Sequence, residues 1–270
     1  MAPSPVLGLI AGSGELPLYF ARRAKQKGFS LKTVAIRGAA PRRLETLSDK
    51  ILWISVGQLG SLLSFFKKQG VQRAVMQGKV EHSQVFKNLR MDLKTLSVWV
   101  RLKDRSGEGL LKSVAAELQK RGVKLLDSRF LMEGVLTRPG WLTRNKANAL
   151  EMESIAYGLT RARILAKLGV GQALVVKKKA VVAVEGMEGT DETILRAGEW
   201  GGHGTVVIKV ASPRQDWRFD VPTLGFKTVQ NMVKAKARGI VAEAGRSFLL
   251  DSEKTIRLAQ KNGIFILVVN

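Results

Sequence analysis

The stretch VLGLIAGSGELPLYFARRAKQKG, Val6 to Gly28, decides the fold. It opens with a short apolar run, breaks at AGSGELP, and then places Leu16, Phe20 and Ala24 at helical spacing. A short apolar run closed by glycine reads as a buried strand, and the four-residue recurrence as an amphipathic helix. Strand, glycine loop and helix make the first part of a crossover unit, and the chain repeats it. SLKTVAI (30–36) and ILWIS (51–55) read as further strands, residues 59–68 as a helix ending at Gly70, and VQRAVMQG (71–78) as a fourth strand. Such alternation predicts a parallel sheet covered by crossover helices.

Working outward, two helices are expected near Asp92 to Lys103 and Glu108 to Lys120, followed by the short strand VKLLD. From Arg129 to Asn145 the text turns irregular around TRPGW, which marks a domain junction. Beyond it a helix is expected over Ala147 to Leu168, and QALVVKKKAVVAVE reads as two strands joined through Lys177 to Lys179. A helix, the strand TVVIKVA, the helix TVQNMVKAKARG, the strand IVAEA, a hairpin-like FLLD, another helix and the strand IFILVV complete the chain. The fold class is therefore α/β: a Rossmann-like parallel-sheet domain over 1–135 and a C-terminal α/β catalytic domain over 136–270. Two domains also suit a length of 270 residues.

Composition narrows the function. The chain carries 45 Lys and Arg against 22 Asp and Glu, a formal net charge of +23, and such a field draws in polyanions. Nucleic acid, an anionic membrane face and a phosphorylated substrate are the candidates, and a merely solvated basic surface is the plainer reading, preferred to a membrane face or a nucleic-acid groove. The basic residues come in scattered pairs, and aromatics make up 6% without a stacking array, which disfavours a nucleic-acid groove. There is no cysteine, hence no disulfide framework and no thiolate metal site, and only His82 and His203 are available for imidazole chemistry. No apolar run approaches the ~18 residues of a membrane span, and the N-terminal residues lack the basic start of a signal peptide. These features point to the cytoplasm.

Three stretches bear on chemistry. GSGELP (12–17) sits between strand and helix, where backbone N–H groups favour an anion. Pro17 stands where a dinucleotide fingerprint needs its last glycine, and the second strand ends Ile36-Arg37 without a ribose-binding acid. An NADP-dependent reductase and a tight packing turn remain the alternatives there. VEGMEGTDETILRAG (184–198) spaces Glu185, Glu188 and Asp191 three apart. Thr190 and Asp191 are explained by a helix start, whereas Glu185 and Glu188 are not, and oxygen ligands around a turn suit Mg²⁺. In PRQDWRFDVPTLG (213–225), Asp220 precedes a Val-Pro-Thr turn, with Lys209, Arg214 and Arg218 close in sequence to neutralise phosphate oxygens. The plainer account is a loop acid paired with a neighbouring arginine. LKTLSVWVRLK (93–103) has the pattern of a membrane-lying helix, and equally that of an ordinary helix with its apolar side buried, which is the reading preferred.

LGLIAGSGELPLYFARRAKQKG, GQALVVKKKAVVAVEGMEGTDETILRAG, RQDWRFDVPTLGFKTVQNM and GIVAEAGRSFLLD together resemble the two-domain UDP-2,3-diacylglucosamine pyrophosphatases of lipid A biosynthesis, in register through essentially the whole chain. The resemblance implies a Mg²⁺-dependent hydrolase that splits UDP-2,3-diacylglucosamine into UMP and 2,3-diacylglucosamine 1-phosphate, water attacking the sugar-side phosphorus. Asp220 falls on the Asp of the family's D-x-P-T-x-G motif, which also covers Thr223 and Gly225, and is expected in catalysis and metal binding. Glu188, Gly189, Thr190 and Asp191 fall on its E-G-T-D motif, with Glu188 and Asp191 expected on metal and in catalysis, and Gly189 and Thr190 on substrate. Gly12, Ser13 and Gly14 match its N-terminal glycine loop and are expected at the head group, and Lys209 on substrate phosphate. Gly169 departs from the pattern, where an acid is expected. The implied partners are the substrate, its lipid product, the anionic inner-membrane surface and a second copy in a homodimer, with no nucleic acid. A non-catalytic polyanion-binding protein, on RNA or membrane, is the alternative from another class.

Overall fold

The structure, a computed structural model, describes residues 4–79, 92–101, 107–219 and 221–270. It divides into two compact units. One holds the chain up to Glu133 together with the segment that begins at Asp216, and the other holds Gly134–Gln215 and Val221–Asn270.

In the first unit β1 (Val6–Ala11), β2 (Ser30–Ile36), β3 (Lys50–Ile54), β4 (Arg73–Gln77) and β5 (Lys124–Leu125) pair in parallel in the order β3-β2-β1-β4-β5. This is the expected parallel sheet. α1 (Leu16–Gln26) joins β1 to β2 and α2 (Leu59–Lys68) joins β3 to β4, connections that run in opposite directions along the sheet; the right-handed rule for such crossovers puts the two helices on opposite faces, in keeping with the buried β1. α2 sets Leu59, Leu62, Leu63 and Phe66 on Ile10, Val34 and Ile54, and Ala115 and Leu118 of α4 (Gly107–Lys120) join the same core. Each large apolar side chain sealed there contributes about 1.5–3 kcal/mol. α3 (Leu93–Arg101) precedes α4.

The returning segment is the first feature that local patterns do not foretell. The Ser128 N–H donates to the Trp217 carbonyl (2.7 Å) and its hydroxyl to the Arg218 carbonyl (2.9 Å). Phe219 packs against the first unit's core, and the Arg129 guanidinium lies 4.1 Å from the Trp217 ring centre. Residues 216–219 thus leave the C-terminal half of the sequence and rejoin the N-terminal unit.

In the second unit the order is β6-β13-β11-β9-β7-β8. β9 (Val206–Lys209), β11 (Gly239–Glu243) and β13 (Phe265–Val269) are parallel, while β7 (Ala173–Lys177) runs against β9 and β8 (Ala180–Val184) runs against β7. β6 (Gly140–Trp141) is an antiparallel edge pair hidden in the stretch read as irregular. α5 (Ala149–Leu168) covers one face, and α6 (Thr190–Gly201), α7 (Phe226–Lys234) and α8 (Ser252–Lys261) cover the other. Asn148 and Glu151 cap α5 reciprocally, which starts it at Ala149 rather than Ala147. FLLD does not form a hairpin: β12 (Phe248–Leu249) pairs in parallel with β10 (Thr223–Leu224). Gly169 is the left-handed cap that ends α5 (φ 75°), a conformation in which an acidic side chain is strained.

Candidate functional site

β8, β9, β11 and β13 all point the same way, so their C-terminal ends share one edge of the second unit's sheet. In open α/β sheets that edge is where ligands bind. The sequence places at it Glu185 after β8, Lys209 closing β9 and Glu243 closing β11, and α6 begins beside them at Thr190.

Lys209, Thr190 and Glu185 form a connected chain. Lys209, only 5% exposed, donates from Nζ to the Thr190 hydroxyl at 2.6 Å, and that hydroxyl donates to Glu185 Oε1 at 2.8 Å. Glu185 Oε2 accepts the Gln172 N–H (3.1 Å), and the Gln172 carbonyl accepts the Val210 N–H (2.9 Å), which ties the loop after β8 to the end of β9. A buried ammonium beside the N-terminus of a twelve-residue helix is a locus of positive potential, suited to an anion.

The other acids of the E-G-T-D stretch carry partners of their own. Glu188 accepts from Arg196 (2.6 Å), from Thr193 (3.3 Å) and from the Gly186 N–H (3.1 Å). Its own backbone N–H and Arg196 hold its carboxyl below the usual carboxylate range. Asp191 pairs with the exposed Lys227 at 3.3 Å. That pair brings the first turns of α6 and α7 together, and with them the loop of Thr223 and Gly225. Thr223 donates to the Val221 carbonyl (2.9 Å), and Gly225 is the extended N-cap of α7. Gly189 caps α6 at φ 83°, with nothing within 4 Å of a would-be Cβ. Among the described residues, no group of three or more acids or histidines converges as a metal site. Asp220 lies outside the described residues.

In the first unit the glycine loop is occupied by its own backbone. The Gly12 N–H donates to the Gln77 carbonyl (2.8 Å), and Ser13 and Lys79 exchange both backbone bonds (2.7 and 3.2 Å). A Cβ on Gly12 would stand 2.4 Å from the Lys79 oxygen. Gly14, at φ 92°, has open space where a Cβ would be. The turn therefore seals the C-terminal ends of β1 and β4 and leaves Gly14 at its outer side.

Arg218 is already paired. It makes a two-pronged bond to Asp216 (2.9 and 2.7 Å), which lowers the Asp216 pKa and raises that of Arg218. Asp216 is thus a loop acid paired with a neighbouring arginine, while the same reading of Asp220 lies outside the described residues.

Two positioning groups escaped the sequence reading. Gln77, buried at the end of β4, donates to the Ser128 carbonyl at 2.6 Å and braces the residue that holds segment 216–219. Glu243, 3% exposed, accepts the Ala211 N–H (2.9 Å) and pairs with Arg163 (3.0 Å). The signal for Glu243 was visible: an acid ending the apolar strand IVAEA.

Two family models match successive parts of the chain. Residues 6–135 match the family model of the LpxI N-terminal domain and residues 138–267 that of the LpxI C-terminal domain. A protein of Caulobacter vibrioides, UDP-2,3-diacylglucosamine pyrophosphatase LpxI, is 30% identical over 98% of this chain and 97% of its own. Among solved structures, an ADP complex of N5-carboxyaminoimidazole ribonucleotide synthetase shares 13% identity over 65% of this chain, which spans 32% of that one, at a TM-score of 0.30. Biotin carboxylase of Campylobacter jejuni shares 13% over 72% of this chain and 42% of its own, at 0.28. Likeness that low carries no argument.

Proposed function

This chain belongs to the LpxI family, and from that premise we propose that it hydrolyses UDP-2,3-diacylglucosamine to UMP and 2,3-diacylglucosamine 1-phosphate, with water attacking the sugar-side phosphorus. The observation that most supports the reading is the buried Lys209, aimed by Thr190 and Glu185 at the start of α6. Phosphoryl transfer needs positioned positive charge around the phosphate oxygens more than a covalent nucleophile, so a chain without cysteine can perform it.

In this scheme Lys209 and the first N–H groups of α6 hold the pyrophosphate, and Gly189 lets it approach the backbone. Thr223 and Gly225 bound the same locus from the start of α7. Gly12, Ser13 and Gly14 are assigned to the head group, with Gly14 the member whose surroundings are open. Asp220 takes a proton from the attacking water as the new P–O bond forms and the bond to the UMP phosphate breaks. We propose a Mg²⁺ requirement as well. Glu188 and Asp191 already carry Arg196 and Lys227, so the ion would displace those partners or rely on Asp220 and phosphate oxygens.

The test is ³¹P NMR of the protein with UDP-2,3-diacylglucosamine and Mg²⁺ in ¹⁸O-enriched water, with and without EDTA. UMP together with label on the lipid phosphate supports the reaction and the attacked phosphorus. Label on UMP moves the attack to the other phosphorus, activity that survives EDTA removes the metal, and no hydrolysis refutes the reading.

A further inference from the structure

α3 is built inside out. Its polar side is fastened to the protein. Asp92 Oδ1 accepts the Thr95 N–H (2.8 Å) and caps α3, while Oδ2 accepts the N–H groups of Gly60 (2.7 Å) and Ser61 (3.3 Å) in the first turn of α2. Thr95, 8% exposed, donates to the Gly57 carbonyl and accepts the Leu59 N–H at 3.0 Å. Lys94 reaches Glu117 of α4 at 2.8 Å. Polar bonds of this kind satisfy the open N–H groups of α2 and fix the rotation of α3.

That rotation leaves the apolar stripe outside. Leu93 is 88% exposed, Leu96 48% and Val100 72%, and their spacing of three and four residues puts them in one row along the helix. The reading of a helix with its apolar side buried is overturned for these three residues. Isolated exposed leucines need no explanation, but an aligned row on a helix whose polar side faces inward does.

We propose that the Leu93-Leu96-Val100 row is a membrane-docking surface whose occupant is an anionic lipid bilayer. Charge argues for that occupant. With Lys94 spent on Glu117 and Asp92 on helix caps, the sequence between residues 87 and 105 still carries Lys87, Arg90, Arg101, Lys103 and Arg105 against Asp104. An apolar stripe in a cationic segment is the composition that seats a helix at the headgroup boundary of acidic membranes. A second copy of the same cationic helix would instead be repelled. The proposal rests on the functional reading only for its purpose, since a diacylated substrate must be taken from a leaflet.

The test compares the wild-type protein with the double variant Leu93→Glu, Val100→Glu. Both side chains are exposed, so the fold is expected to persist, checked by circular dichroism and thermal melting. Co-sedimentation uses vesicles of phosphatidylethanolamine and phosphatidylglycerol beside vesicles of phosphatidylcholine alone. Wild type should bind the anionic vesicles, and the variant should lose roughly tenfold or more of its partitioning. Turnover of substrate dispersed in detergent should stay unchanged. Equal binding by both proteins, or no binding by wild type, overturns the proposal, as does a wild-type dimer that the double variant dissociates. The functional reading fails separately, if wild type does not hydrolyse the detergent-dispersed substrate.

Discussion

After β1 and after β8 the chain does the same thing in sequence: an apolar strand ends, glycines follow, and a helix begins. In space the two turns differ. After β1, backbone closes on backbone, and Gly12 is required because Lys79 leaves no room for a side chain. After β8, side chains converge: Glu185, Thr190 and Lys209 make a hydrogen-bonded line, and Gly189 stands in open space. The same glycine pattern therefore serves close backbone packing at Gly12 and open backbone at Gly189.

The contrast can be broken by substitution. If Asp220 is the base proposed above, Asp220→Ala should keep the fold and substrate affinity yet lose about 10³-fold or more in kcat, measured by UMP release. A near-normal rate would remove Asp220 from the mechanism. If the first turn is sealed by packing, Gly78→Ala should destabilise by about 2–3 kcal/mol in urea denaturation. Gly78 sits at φ 85°, and its Cβ would meet the Ser13 oxygen at 2.4 Å. Little change in the midpoint would show the turn to be loose.

Thr190 sharpens the comparison, because its hydroxyl is the link. Thr190→Val should cost about 1–3 kcal/mol in transition-state stabilisation, read from kcat/KM, by leaving Lys209 and Glu185 without their shared partner. Thr190→Ser should recover most of it. Equal losses in both variants would mean that shape, not the hydroxyl, matters. The smallest effect concerns Asp216, whose carboxyl is held low by Arg218. A depressed carboxylate stabilises the fold above its unfolded value near pH 4, and that contribution disappears as pH falls through the lower folded value. Asp216→Asn should remove about 0.5–1 kcal/mol at neutral pH and flatten the acid limb of the stability profile. Unchanged acid unfolding would mean the pair is energetically silent.

What could be read beforehand was what local periodicity encodes. The strands from Val6 to Gln77 and the helices between them follow from apolar runs and four-residue recurrence, and so do β7, β8, β9, β11 and β13. Features that depend on distant partners were not legible. β12 looks like half of a hairpin until β10, more than twenty residues earlier, is seen beside it in parallel. Segment 216–219 returns to the first unit because Ser128 and the core around Phe219 receive it, and nothing in its own residues names them. For α3 the apolar stripe was visible but its direction was not, since Asp92 and Thr95 turn it outward by bonding to α2. At the candidate site the E-G-T-D stretch marked the place, whereas the aim of Lys209 through Thr190 required the fold.

The most direct measurement is a single-turnover experiment on Lys209→Ala, with substrate affinity determined on the same protein by titration with UDP-2,3-diacylglucosamine. The account predicts a rate of UMP formation about 10²–10³-fold below wild type, with the protein folded and affinity reduced far less than rate. A variant that turns over at close to the wild-type rate would contradict the placement of the chemistry at the end of β9.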